Sequence, residues 1–311
     1  MKKKIGKIVF RYGYTATNSD VLPGLNGIAL EQGYFKEELS KENAEFKAIP
    51  FVKAGPAINS ALASGGLEAA GLGDVPAIVA KSQGSDTMAI DIQPSDYSTH
   101  LIISKKSGLK KVEDLKGKKV AVQSGSYMQR ILYQILEKHG LSAEDVKLVN
   151  MSEVDAANAV EAGSVDATAV TEMKGIKLEQ GKNVELLYDT EGVTELERTS
   201  VTLVRSKFAK EHPKVVVAYL RALIRAQEYA KKHPEDLRKL YIKSGIEEKI
   251  VDLTYPKLTD YNSIVGTTGE TKKVFEGVIT FLKENGLIKK DVDLNQWYDG
   301  NFYEKAKKEL K

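Results

Sequence analysis

The chain has 311 residues, enough for two domains with separate cores, and 46 Lys and Arg against 43 Asp and Glu leave a net charge of only +3. That balance, with 14 Tyr, 8 Phe and one Trp not interleaved with basic stripes, argues against a nucleic-acid partner. The absence of cysteine excludes disulfides, thiolate nucleophiles and cysteine-bound metal, and no apolar run approaches the ~20 residues that span a bilayer.

Residues 5–14 read as a strand with Ile8, Phe10, Tyr12 and Tyr14 on one side. The polar loop 15–20 follows, then a helix from about residue 23 to 32, stopped by Gly33. A second strand over 45–52 leads into Ala54-Gly55-Pro56, where proline suits a first helical turn, and Gly65-Gly66 ends that helix. A strand over 67–72 runs through Gly73-Asp74-Val75-Pro76 into another helix. Residues 98–104 form an apolar strand that carries the chain into a second lobe. There, strand 119–123 leads through Ser124-Gly125-Ser126 into helix 127–139, whose buried face is Met128, Ile131, Leu132, Ile135 and Leu136. Strand 146–150, helix 153–162 and strand 165–170 follow, and strand 199–204 returns the chain to the first lobe. Helices then dominate, starting at His212-Pro213, at Pro234 and over 270–285.

Residues 61–72 (ALASGGLEAAGL) and 159–170 (AVEAGSVDATAV) are one phrase written twice, each a helix end, a glycine turn and a short strand. The duplication predicts two similar α/β lobes, with lobe one at 1–100 and 203–311, lobe two at 101–202, and two crossing strands as the hinge. In sheets of this kind ligands gather at the carboxyl ends of the strands, so a cleft between the lobes is the expected site.

That edge supplies the candidate ligand-binding residues. Tyr14, Thr15, Thr17, Asn18 and Ser19 follow the first strand, with an ordinary capping loop as the plainer reading. Ala54-Gly55-Pro56 and Ser124-Gly125-Ser126 each open a helix, whose free N–H groups hold either an anion or only their own caps. Tyr97 and Tyr127 could line a cleft or be half-buried core. The duplication aligns Gly73-Asp74 with Thr171-Glu172, which would put two carboxylates in one pocket. Arg198 or Arg11 could neutralise one of them, the ligand could carry a positive group, or Asp74 could cap the helix after Pro76. His100 reads as a structural group, and the four histidines show no metal-ligand spacing.

The ordered series Gly13-Tyr14, Gly33-Tyr34-Phe35, Ala54-Gly55-Pro56, 61–65 (ALASG) and 71–76 (GLGDVP) continues with 112–122 (VEDLKGKKVAV), Ser124-Gly125-Ser126, 162–167 (AGSVDA) and 208–213 (FAKEHP). It resembles the extracytoplasmic solute-binding proteins of ABC transporters, in the nitrate, aliphatic-sulfonate and taurine group. Thr171-Glu172-Met173-Lys174 departs from that group's aromatic and acidic ending, and Leu67-Glu68 replaces its usual Ile-Asp. The resemblance implies an α/β two-lobed type II periplasmic-binding fold, each lobe a mixed, mainly parallel sheet flanked by helices. It also implies a monomer that binds a sulfonate, nitrate, taurine or related small molecule, passes it to a membrane permease and uses no cofactor. The expected place is the periplasm or an extracellular membrane anchor, with the export signal absent from the chain as written. The competing reading is an enzyme on the same fold that works without cysteine, using Asp74 and Glu172, or His100, as acid and base.

Overall fold

The computed structural model describes residues 6–16, 19–52, 54–95, 98–193, 196–261 and 265–311. In chain order the first elements are β1 (Ile8–Thr15), α1 (Gly24–Glu31), α2 (Tyr34–Ser40), β2 (Ala44–Phe51), α3 (Ala54–Ser64), β3 (Ala69–Gly73), α4 (Asp74–Ser82) and β4 (Thr87–Ser95). Next come β5 (Thr99–Ser104), β6 (Lys119–Val122), α5 (Tyr127–Lys138), β7 (Lys147–Asn150), α6 (Glu153–Ala162), β8 (Ala167–Thr171), α7 (Glu172–Glu179) and β9 (Val184–Asp189). The last are β10 (Arg198–Arg205), α8 (Ser206–Glu211), α9 (Pro213–Lys232), α10 (Pro234–Lys243), α11 (Glu248–Tyr261), α12 (Gly269–Glu284), α13 (Leu294–Trp297) and α14 (Asn301–Glu309).

The chain divides into two compact units. One is Met1–Pro94 with Thr199–Glu276 and Ile288–Lys311; the other is Ser95–Arg198 with Gly277–Leu287. The two strands read as a hinge are inner strands of the sheets. β5 lies between β8 and β9, and β10 between β3 and β4.

Each unit carries a five-stranded sheet, in the orders β2-β1-β3-β10-β4 and β7-β6-β8-β5-β9. These are the same arrangement: β1 is parallel to β2 and β3 as β6 is to β7 and β8, and the fourth strand runs antiparallel to the third in both. Both sheets are mixed, and β4 and β9 close their edges as strands that the periodicity did not reveal.

The duplicated phrase has a structural reason. Gly65 and Gly163 hold φ of +79° and +77°, the left-handed turn that glycine adopts without a side-chain penalty. The acid three residues on then latches the neighbouring strand: the Arg11 amide donates to Glu68 Oε2 at 2.9 Å, and the Lys119 amide to Asp166 Oδ2 at 2.8 Å. The Glu68 and Asp166 amides return the bond to the Arg11 and Lys119 carbonyls.

In the first unit, Phe10, Tyr12, Phe35, Phe46 and Tyr219 form one aromatic core, with Phe35 and Phe46 stacked at 3.8 Å between centroids. In the second, the α5 face read from the sequence is buried beside Leu101, Val120 and Ala169.

Candidate functional site

In the first unit the carboxyl ends of β1 and β3 meet the starts of α3 and α4. Tyr14 is buried and its hydroxyl donates to the Asp20 carbonyl, closing the loop after β1. Thr15 is exposed at the strand end, and Ser19 accepts from the Val21 amide. Thr17, Asn18 and Tyr97 lie outside the described residues. Gly55 is needed for packing: a Cβ there would stand 2.7 Å from Cβ of Pro76, so α3 and α4 approach too closely for a side chain. Asn59 fastens the same contact by donating to the Pro76 carbonyl at 3.0 Å.

Asp74 does not cap a helix that starts after Pro76. Gly73 is the capping residue, with φ −67° and ψ 160°, and Asp74 is the first residue of α4. Its carboxylate is only 1% exposed. Oδ1 accepts from the Val75 amide at 2.7 Å, and Oδ2 from both the amide and hydroxyl of Thr199 at 3.0 Å. The residue clamps the start of β10 to α4. Arg11, expected as a counter-ion for Asp74 or Glu172, stands near the other end of β1 instead. Its Nε donates to Glu68 Oε2 at 2.8 Å and its Nη2 to the Gly65 carbonyl at 3.0 Å.

In the second unit the turn before α5 is already wired internally. The Ser124 amide donates to Asn150 Oδ1 at 3.0 Å and the Gly125 amide to Gln129 Oε1 at 2.8 Å. Ser126 is the N-cap of α5, accepting from the Gln129 amide at 3.3 Å. An anion at this turn must displace side-chain amides that now occupy those donors. Gly125, at φ +73°, is the left-handed residue that shapes the turn.

Tyr127 opens α5, and the Arg198 guanidinium lies over its ring at 4.3 Å. Arg198 is 9% exposed. The neighbouring Glu197 carbonyl is fixed by the buried Arg130, which donates to it at 2.9 Å and to Gln134 Oε1 at 2.8 Å. Fixing Glu197 also positions Arg198, which gives the second unit an ordered, half-apolar cationic group at a helix start.

Thr171 stands at the N-cap position of α7, and its amide and hydroxyl donate to Glu153 Oε1 at 2.9 and 3.2 Å. Glu172 is buried in the first turn, where a negative charge suits the helix dipole, and its amide donates to the Ser98 carbonyl. His100 is 4% exposed, with Nδ1 3.4 Å from Glu179 Oε1 and Nε2 3.5 Å from Asp189 Oδ2. Burial alone would lower the His100 pKa; the hydrogen bond and charge of Asp189, with Glu179 and Glu172, raise it above its ordinary value. Asp189, pushed up by burial, is carried further the other way by His100, Ser98 and the Glu191 amide, to about 2. These contacts anchor His100 on β5 to β9 and α7, a network the sequence reading missed because its members are up to 89 residues apart.

One grouping of metal-ligating types occurs among the described residues, His233, Glu235 and Asp236, with the first two exposed. Lys239 and the Tyr229 hydroxyl already bind Asp236, so it makes a poor cation site.

Residues 27–237 match the family model described as NMT1/THI5 like. A Bacillus subtilis (strain 168) protein, provisionally named an aliphatic sulfonates-binding protein, is 32% identical over 91% of this chain and 84% of its own length. The taurine-binding periplasmic protein of Escherichia coli (strain K12) is 31% identical over 75% of this chain and 76% of its own. Among solved structures, a periplasmic sulfonate-binding protein from Methylobacillus flagellatus KT superposes with a TM-score of 0.82 at 22% identity, covering 98% of this chain and 96% of that one. The fold is the type II periplasmic-binding fold, each unit a mixed sheet with flanking helices. A desulfurization enzyme shares it at a TM-score of 0.76 and 16% identity, so the fold alone does not distinguish a receptor from an enzyme. No helix among the described residues is long and apolar enough to cross a membrane. On the extent of the model match and of the relatives above 30% identity, the chain belongs to the NMT1/THI5-like family, alongside aliphatic-sulfonate- and taurine-binding proteins.

Proposed function

We propose that this protein is the solute receptor of an ABC importer and that its ligand is a small organic sulfonate. The observation that carries the reading is the Arg198 guanidinium held 4.3 Å over the Tyr127 ring at the start of α5. A guanidinium held over an aromatic ring is a confined fork of N–H donors, the group that matches the oxygens of a tetrahedral anion. The nearby start of α5 adds a positive helix end. The names of the relatives point to the same anion class. Tyr14, Thr15, Thr17, Asn18 and the openings of α3 and α4 are the proposed contributors from the first unit, and Tyr97 is one from the second. Delivery of the ligand from the periplasm to a membrane permease completes the proposal.

Calorimetric titration with taurine and methanesulfonate tests it. Saturable binding is expected, weakened about 100-fold or more in Arg198→Ala and less in Arg198→Lys, in keeping with the 2–5 kcal/mol of a lost charge-assisted contact. Absence of sulfonate binding, or an Arg198→Ala variant that binds as tightly as the parent, overturns the assignment.

A further inference from the structure

We infer that the first unit carries a second anion site, a groove for a phosphate monoester at the amino edge of its sheet, remote from the β3–α4 junction. The groove measures about 630 Å³ and is lined by Lys7, Arg11, Lys47, Arg205, Lys207 and His212 over a floor of Ile8, Val9 and Phe208. It gathers at residues 6–11, where β1 begins, and at Arg205, where β10 ends. β1 is eight residues long, so its carboxyl end lies about 25 Å away. Occupation of this groove and of a site at the carboxyl edge are independent events.

The charge is what singles the groove out. Its lining has five lysines and arginines against two carboxylates, Glu68 and Glu211, a local excess equal to the net charge of the entire chain. Both carboxylates are engaged, Glu68 by Arg11 and Glu211 by Lys207 at 3.9 Å, and Lys7 pairs with Glu45 at 2.9 Å. Lys47 and Arg205 have no carboxylate partner among the described residues. Arg205 is half-buried against the Gly65 turn, within 3.3 Å of where a Cβ on Gly65 would stand, so its guanidinium is confined rather than free in solvent. Gathered cations in a concavity lower the cost of bringing in a multiply charged anion, and a confined guanidinium selects oxyanion geometry.

The floor narrows the ligand further. Val9 is 36% exposed and Phe208 underlies the groove, so an apolar body could rest there while its oxyanion meets Arg205 and Lys47. A phosphate monoester with an apolar substituent has both parts. Its source is either a soluble ester or a lipid headgroup, which share the recognised chemistry.

The full chain is titrated with phenyl phosphate by calorimetry, and separately sedimented with phosphatidic-acid vesicles against phosphatidylcholine vesicles. Binding is expected in at least one arm, weakened tenfold or more by Arg205→Ala and by Lys47→Glu, and weakened by added salt. Lys47 is exposed, so Lys47→Glu keeps the fold, which its melting curve checks. Sulfonate affinity is expected unchanged in both variants, and a saturating sulfonate leaves phenyl phosphate binding intact. No binding in either arm overturns the site, as does binding that neither substitution weakens or that sulfonate abolishes. Those outcomes leave the receptor reading untouched, whereas a failed sulfonate titration leaves this groove to be judged on its own.

Discussion

The two units share a strand order and a repeated turn but use charge differently at matching positions. At the junction after the third strand, the first unit uses Asp74 as a hydrogen-bonded clamp on Thr199, with backbone and hydroxyl among its donors. The second places Glu172 there, close to the buried His100–Asp189 pair. At the opposite edge the roles reverse: Glu68 binds a guanidinium as well as an amide, whereas the side chain of Asp166 meets the Lys119 amide. A duplicated backbone thus preserves the hydrogen-bonding need of a turn while leaving the surrounding ion pairs to diverge.

The largest expected effect comes from crowding the second junction. A Cβ on Gly175 would collide with the His100 ring, so Gly175→Val should destabilise the protein by about 3 kcal/mol or more, read by urea denaturation. A neutral result would mean that α7 is free to move away from β5. The latch acids should then separate. Glu68→Ala is expected to cost about 2–3 kcal/mol, held below the cost of a fully buried pair because Arg11 is 37% exposed, and Asp166→Ala about 1 kcal/mol. Equal losses would break the claim that the two latches differ.

A third contrast is in pH. The raised pKa of His100 contributes stability that is complete below its unfolded value near ~6.5 and is lost as pH climbs through the folded value. The depressed pKa of Asp189 acts the other way, contributing above its unfolded value near ~3.9 and failing as pH falls toward about 2. His100→Gln should therefore lose about 2 kcal/mol at pH 6, and its melting temperature should respond less to alkalinisation than that of the parent. A parallel pair of curves would remove His100 as the cause. The α5 cap gives an effect as small as that of Asp166: Ser126→Ala should cost about 1 kcal/mol, seen as faster amide exchange in the first turn of α5.

Much of this architecture was visible in the residues. The glycine turns, the small-residue strands and the α5 stripe carry their structure locally, within a few positions. β4 was not visible, because its pattern is broken by Asp91 and Pro94. Asp91 is fully buried and accepts from the Gly266 amide, 175 residues away, while burial raises its pKa to about 7. Pro94 is tolerated because β4 is an edge strand. β9 hid for a related reason, since Glu185 and Asp189 interrupt its apolar run and Leu186 is exposed. At the candidate site the sequence located the helix starts but not their wiring. The roles of Gly55 against Pro76, Asp74 against Thr199 and Arg11 against Glu68 all depend on contacts between segments distant in the chain.

The strand orders carry a consequence for synthesis. The sheet of the second unit is drawn wholly from residues 99–189, so it can assemble as soon as that stretch leaves the ribosome. The first sheet cannot. Among the described strands β4 pairs with β10, which begins more than 100 residues later, and Ala89 of β4 is also bridged by Tyr298, so the earliest-made part of the protein waits with an unpaired edge while the later part folds. Chains stalled before residue 198 should therefore hold a completed second sheet and an unfinished, aggregation-prone first one.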